Sequence, residues 1–127
     1  SIACPDRKVV SFQADGSGMY TVQSLWSMAR EEVDVTIVLL NNDSYAILNV
    51  ELARLKAGEP TDKTRSMFDL SNPSLDWVSL AKGLGVSAVK VRTVEQFREQ
   101  FEQSMRKKGP FLIEVIVSQD MSAGFKR

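Results

Sequence analysis

The sequence has 127 residues, 43% hydrophobic and 25% charged, and its sixteen basic and sixteen acidic side chains cancel without any like-charged run longer than Arg106-Lys107-Lys108. This describes one folded domain with a real core, and it excludes a disordered or fibrous chain and the basic footprint of a nucleic-acid binder. A single cysteine, Cys4, and no histidine exclude an internal disulfide, a thiolate zinc site and imidazole chemistry, while no apolar run approaches the roughly 20 residues that span a bilayer.

Chemistry must therefore rest on oxygen ligands, backbone groups or a cofactor. With no signal-peptide pattern and no membrane partner, a reducing, cytoplasmic setting is expected. The chain opens Ser-Ile-Ala-Cys-Pro, without Met, and a strand pattern begins almost at once. That predicts a processed protein or a piece of a longer one.

Lys8 to Gln13 (KVVSFQ) reads as a buried strand that ends in the turn residues Ala14-Asp15-Gly16-Ser17-Gly18. From Tyr20 to Glu32, Val22, Leu25, Trp26 and Ala29 fall at helical spacing, which predicts one buried face with Trp26 in the core. Asp34 to Leu40 is continuously apolar after its first residue, as in a parallel strand covered on both sides, and Asn41-Asn42-Asp43-Ser44 stops it. A helix is expected from about Ala46 to Leu55, with Ile47, Val50 and Leu55 apolar, and a loop from Lys56 to Pro73.

Ser74 is expected to cap a helix through Leu84, with Trp77, Val78, Ala81 and Leu84 inward and Gly85 as its stop. Val86 to Val91 is a third strand. Thr93 and Gln96 form a capping box before a helix that buries Val94, Phe97, Phe101 and Met105, and Phe111 to Val117 is the fourth strand. The order predicts an α/β fold, a parallel sheet with helices on both faces and right-handed crossovers, in one domain over 1–127 with a polar tail at 118–127.

In such a sheet ligands sit beyond the carboxyl ends of the strands. Both unusual turns lie there, on strands expected to be neighbours. The first, small-residued and leading into a helix, can offer N–H groups and a positive dipole end to a phosphate. Asp15 would repel that phosphate unless a cation lay between them. Asp15, the side-chain oxygen of Asn42 and the carbonyl of Ser44 are the natural ligands for a hard cation, magnesium or calcium. Each turn alone is also ordinary structural chemistry.

These residues resemble the thiamine diphosphate-binding signature, which runs from Gly-Asp-Gly to Asn-Asn: here "ADGS…LLNN", with Asp15 and Asn42 twenty-seven positions apart. The stretches "ADGSGMYTVQSLWSMARE", "NNDSYAILNVELAR", "LDWVSLAKGLGV" and "KGPFLIEVIV" are similar to the acetolactate synthase-like and benzoylformate decarboxylase-like branch of thiamine-dependent 2-oxo acid enzymes.

The resemblance implies a Rossmann-like C-terminal cofactor domain, incomplete at its N-terminus. Asp15, Asn42 and the Ser44 carbonyl would hold Mg²⁺; Ala14, Asp15, Gly16, Ser17, Asn42, Ser44 and Tyr45 would contact thiamine diphosphate; Ile47 and Leu48 would face the substrate or, as plain helix residues, the core. It assigns no catalytic residue to this chain, because the activating glutamate belongs to a pyrimidine-binding domain of the same or another subunit.

The implied enzyme is a homodimer or homotetramer that decarboxylates a 2-oxo acid, the cofactor serving as electron sink, and releases an aldehyde or adds the product to a second oxo acid. FAD would belong to a missing domain. Ala14 replaces the signature's first glycine. Two other readings stand beside this one: a fragment or split subunit that supplies half a cofactor site without activity of its own, and a receiver-like signalling domain, which wants an acidic cluster and a late Lys.

Overall fold

The computed structural model describes residues 1–55 and 58–119. Four strands, β1 (Val9–Ala14), β2 (Val35–Asn41), β3 (Ser87–Val91) and β4 (Phe111–Ile116), form one parallel sheet in the order β1-β2-β4-β3. Register places Ile37 beside Leu112 and Val38 beside Ile113, so alternate residues of the two central strands serve opposite faces.

On one face Ile37, Leu39, Leu112 and Ala88 meet Leu25 of helix α2 (Ser24–Arg30) and Trp77 and Ala81 of helix α5 (Trp77–Gly83). On the other, Phe111, Ile113 and Val91 meet Phe97 and Phe101 of helix α6 (Val94–Arg106). Helices therefore cover both faces of the central strands, whereas β1, expected to be a buried strand, is an edge strand without a fully buried residue and with Phe12 70% exposed.

The remaining helices are α1 (Asp15–Gly18), which passes into a 3₁₀ turn at Met19–Thr21, α3 (Ala46–Arg54) and α4 (Asp62–Phe68). Three expectations about helices need correction. The single helix from Tyr20 to Glu32 is broken; Val22 before α2 and Leu25, Met28 and Ala29 within it turn to the core, while Trp26 stays 51% exposed under the Arg30 guanidinium, 5.4 Å from its ring. Met28 fills the place expected of Trp26.

On α6, Val94 and Met105 are exposed, and the buried position is Ser104, whose hydroxyl donates to the Phe101 carbonyl (2.8 Å) and accepts from Thr36 (3.1 Å). The cap of α5 is Asp76, accepting from the Ser79 amide at 3.0 Å, rather than Ser74. Within the expected loop, Thr61 caps α4 through the Thr64 amide. Residues 56–57 of that loop, and 120–127 of the expected tail, lie outside the described residues.

At the amino ends of β1 and β2 the charges are closed on one another. Lys8 Nζ donates to Asp34 and to the Lys107 carbonyl (2.7 Å), and Lys108 reaches the second Asp34 oxygen (3.2 Å). The hydrogen bond from Lys8, aided by Lys108, holds the Asp34 carboxyl below the usual aspartate range.

Candidate functional site

The β1–β2 ladder ends with Ala14 beside Leu40, so Asp15 and Asn41-Asn42 emerge side by side at the carboxyl edge. Ala14 has φ −101° and ψ 155°, extended backbone that any residue adopts, so replacing glycine there carries no backbone penalty. Asp15 is 2% exposed: Oδ1 accepts from the Gly16 amide at 2.9 Å, and Oδ2 has no hydrogen-bond partner.

Ser17 is exposed and donates to Gln13 Oε1 (2.7 Å). The helix expected behind this turn is only the four residues of α1, so its dipole is that of a single turn, and the Gly16 N–H already serves Asp15. Beneath it lies the core. A Cβ on Gly18 would come within 2.9 Å of Trp77 Cη2, so the missing side chain is what seats the turn on that ring.

The second turn is built from two successive side-chain-to-backbone bonds. Asn41 Oδ1 accepts from the Asp43 amide (2.9 Å) and Asn42 Oδ1 from the Ser44 amide (3.1 Å), each asparagine standing in for a backbone turn. Between them Asp43 takes φ +52°, the left-handed region that Asp tolerates better than most residues.

The segment after α4 pins this conformation. Leu70 N–H donates to the Asp43 carbonyl and Tyr45 N–H to the Phe68 carbonyl, both at 2.9 Å, making an antiparallel bridge between Ser44 and Asp69. With residues 43 and 45 bonded to that segment, the Ser44 carbonyl faces away from it. Ser74, unused as a cap, donates to Asp43 Oδ1 (3.0 Å).

The two turns touch. A Cβ on Gly16 would fall 2.5 Å from Tyr45 Cε1, so the Tyr45 ring lies directly over Gly16. Asn42, Ser44 and Tyr45 are half-buried, whereas Ile47 and Leu48 are 51% and 42% exposed. Neither belongs to the core; both stand on the first turn of α3, just beyond Tyr45.

Other residues of this edge escaped the motif. Glu114, fully buried on β4, accepts at Oε1 from Asn41 Nδ2 (2.8 Å) and from Lys90 Nζ (3.1 Å). Its signal in the sequence is a lone acid within the apolar run FLIEVIV.

The donor set suits a hard cation that keeps outside ligands. Among the described residues no group of three or more His, Cys, Asp or Glu side chains could hold a metal by themselves. This edge offers the Asp15 carboxylate, whose Oδ2 is buried and unpartnered, the Asn42 side-chain oxygen and the Ser44 carbonyl; a second buried carboxylate oxygen, Glu114 Oε2, is likewise without a hydrogen-bond partner. That set fits Mg²⁺, which takes few protein oxygens and fills its shell from water and phosphate. The acidic cluster that a receiver-like domain wants is absent from the described residues.

Known proteins resemble this chain over nearly its whole length. A Mycobacterium tuberculosis protein named "Putative acetolactate synthase large subunit IlvX" is 45% identical over 118 residues, 92% of this chain and 23% of that protein. Benzoylformate decarboxylase of Pseudomonas aeruginosa is 30% identical over 114 residues, 90% of this chain and 20% of that one.

The solved thiamine diphosphate-dependent 4-hydroxybenzoylformate decarboxylase of Rhodococcus jostii RHA1 superposes with a TM-score of 0.83 at 36% identity, over 94% of this chain and 21% of that one. The chain thus spans about a fifth of the length of the relatives it matches. Residues 1–115 match the family described as thiamine pyrophosphate enzyme, C-terminal TPP binding domain, and the chain belongs to that family.

Proposed function

We propose that this chain supplies the diphosphate- and Mg²⁺-binding half of the active site of a thiamine diphosphate-dependent 2-oxo acid decarboxylase or carboligase, most like the acetolactate synthase large subunit. The observation that carries the proposal is Asp15: a buried carboxylate with one oxygen unpartnered, at a turn held against the Asn42–Ser44 turn by the Tyr45 ring. A buried carboxylate oxygen without a partner is costly unless a cation or donor meets it.

Asp15, Asn42 and the Ser44 carbonyl hold the cation, and Ala14, Gly16, Ser17 and Tyr45 border the diphosphate. When bound, thiamine diphosphate supplies the electron sink that makes loss of carbon dioxide from a 2-oxo acid accessible. Ile47 and Leu48, exposed beside Tyr45, form the apolar floor on the substrate side. A pyrimidine-binding domain, of the same or another subunit, closes this half-site in a cytoplasmic homodimer or homotetramer; without it the chain is inactive. FAD has no place in this domain.

The test is Asp15→Ala in the assembled enzyme that contains this chain. Thiamine diphosphate is expected to be lost on gel filtration in Mg²⁺ buffer, and turnover of 2-oxo acids to fall at least about 100-fold, as for loss of a metal's only carboxylate ligand. Retained cofactor and unchanged turnover would remove Asp15 from the site.

A further inference from the structure

Glu114 has no part in the proposed function, yet it is the one acidic side chain in the middle of the sheet and is fully buried. Burying a carboxylate there is unfavourable unless it is paired. Its pairing is one-sided: Oε1 accepts from Lys90 Nζ at 3.1 Å and from Asn41 Nδ2 at 2.8 Å, while Oε2 is buried without a hydrogen-bond partner. Since a carboxylate only accepts, it fixes which end of the Asn41 amide faces the sheet. Asn41 Oδ1 is thereby turned to the Asp43 amide (2.9 Å), the residue held at φ +52° between Asn42 and Ser44. A flipped Asn41 would set NH₂ against N–H and release the turn.

We infer that Glu114 is a positioning residue for the cation: anchored by Lys90, it acts through Asn41 to hold Asp43 in the left-handed conformation that presents the Asn42 side chain and the Ser44 carbonyl together. The inference rests on the cofactor reading above. Glu114 touches neither cation nor cofactor; it sets the shape of the turn that does, as outer-shell carboxylates orient metal ligands elsewhere.

The experiment measures the Mg²⁺ concentration giving half-maximal thiamine diphosphate binding, followed by tryptophan fluorescence, in the assembled enzyme that contains this chain. Glu114→Leu is expected to raise it about 10–100-fold. Glu114→Gln, whose amide oxygen still accepts from Asn41 and Lys90, is expected to stay within about threefold. Asn41→Ala should match Glu114→Leu, and the double variant should add nothing further, because both cut one link.

A Glu114→Leu protein with a lowered unfolding midpoint but an unchanged Mg²⁺ requirement overturns the positioning role and leaves a purely structural one. Should that variant fail to fold, Asn41→Ala, altered at the strand end, decides by the same measure. Asp15→Ala separates the two levels. If it abolishes Mg²⁺-dependent binding while Glu114→Leu and Asn41→Ala change nothing, only this inference fails; if it too changes nothing, the cofactor reading fails and this one with it.

Discussion

The two ends of the β1–β2 pair share one ladder and one register, and they are finished differently. At the amino end Lys8, Asp34 and Lys108 close on one another and on the Lys107 carbonyl, and Asp34 is held below the usual aspartate range by the Lys8 hydrogen bond first and Lys108 second. At the carboxyl end Asp15 Oδ2 is buried without a partner, and Ile47 and Leu48 stand exposed. The strands place side chains equally well at both ends. What marks a site is the end where polar capacity exceeds the internal partners available.

The largest effect expected to reach both stability and cofactor binding comes from breaking the contact that joins the two turns. In Gly16→Ala the new Cβ would sit 2.5 Å from Tyr45 Cε1 and 2.6 Å from Cδ1, so the Tyr45 ring must leave its place. Overpacking of this kind costs about 1–3 kcal/mol in unfolding free energy. At the carboxyl end it should also weaken thiamine diphosphate binding, and Tyr45→Ala added to it should recover the stability by making room. A tolerated Gly16→Ala with full cofactor affinity would mean that the turns act separately.

A smaller effect, confined to stability, is expected at the amino end. Lys8→Met removes the strongest influence on Asp34, whose folded-state pKa lies below its unfolded value near 3.9. A depressed carboxyl stabilises the fold above that unfolded value, and the contribution is lost as pH falls through the folded one. The variant should therefore unfold at lower temperature at pH 7, with the gap to the unmodified chain narrowing below about pH 4. Cofactor affinity should not move. A gap independent of pH would assign Lys8 a packing role alone.

The difference between the two ends was only half legible in the sequence. A continuous apolar run gave away β2 and short β-rich runs the other three strands, and turn residues after β1 and β2 gave away the carboxyl edge, because both are local patterns. The cap at Thr93 was local as well: Thr93 Oγ1 accepts from the Gln96 amide at 3.3 Å, while Gln96 Oε1 reaches back to the Arg92 amide, one residue before the expected capping-box partner.

Partners far apart in sequence were hidden. Glu114 meets Asn41 across 73 positions, and Ser74 looked like a cap until Asp76 took that role and Ser74 turned to Asp43, 31 positions away. Ser104 displaced Met105 from the buried face for the same kind of reason: its hydroxyl is satisfied by Phe101 and by Thr36, 68 positions distant. Helix α4, with its charged residues and exposed Met67, carries no apolar stripe to read.

The smallest effect is expected at Trp26, where periodicity pointed to the core and the structure to solvent. Residues 25 and 26 are about 100° apart on a helix, and with Leu25, Met28 and Ala29 inward the indole is left on the flank, under the Arg30 guanidinium. An exposed cation–π contact contributes about 0.5–1 kcal/mol. Trp26→Ala should therefore lower unfolding free energy by no more than about 1 kcal/mol, against about 3–5 for truncating a buried aromatic such as Trp77. Urea unfolding distinguishes the two. A loss as large as that of a buried aromatic, accompanied by dissociation of the assembled enzyme, would move Trp26 from free surface to a subunit or domain interface.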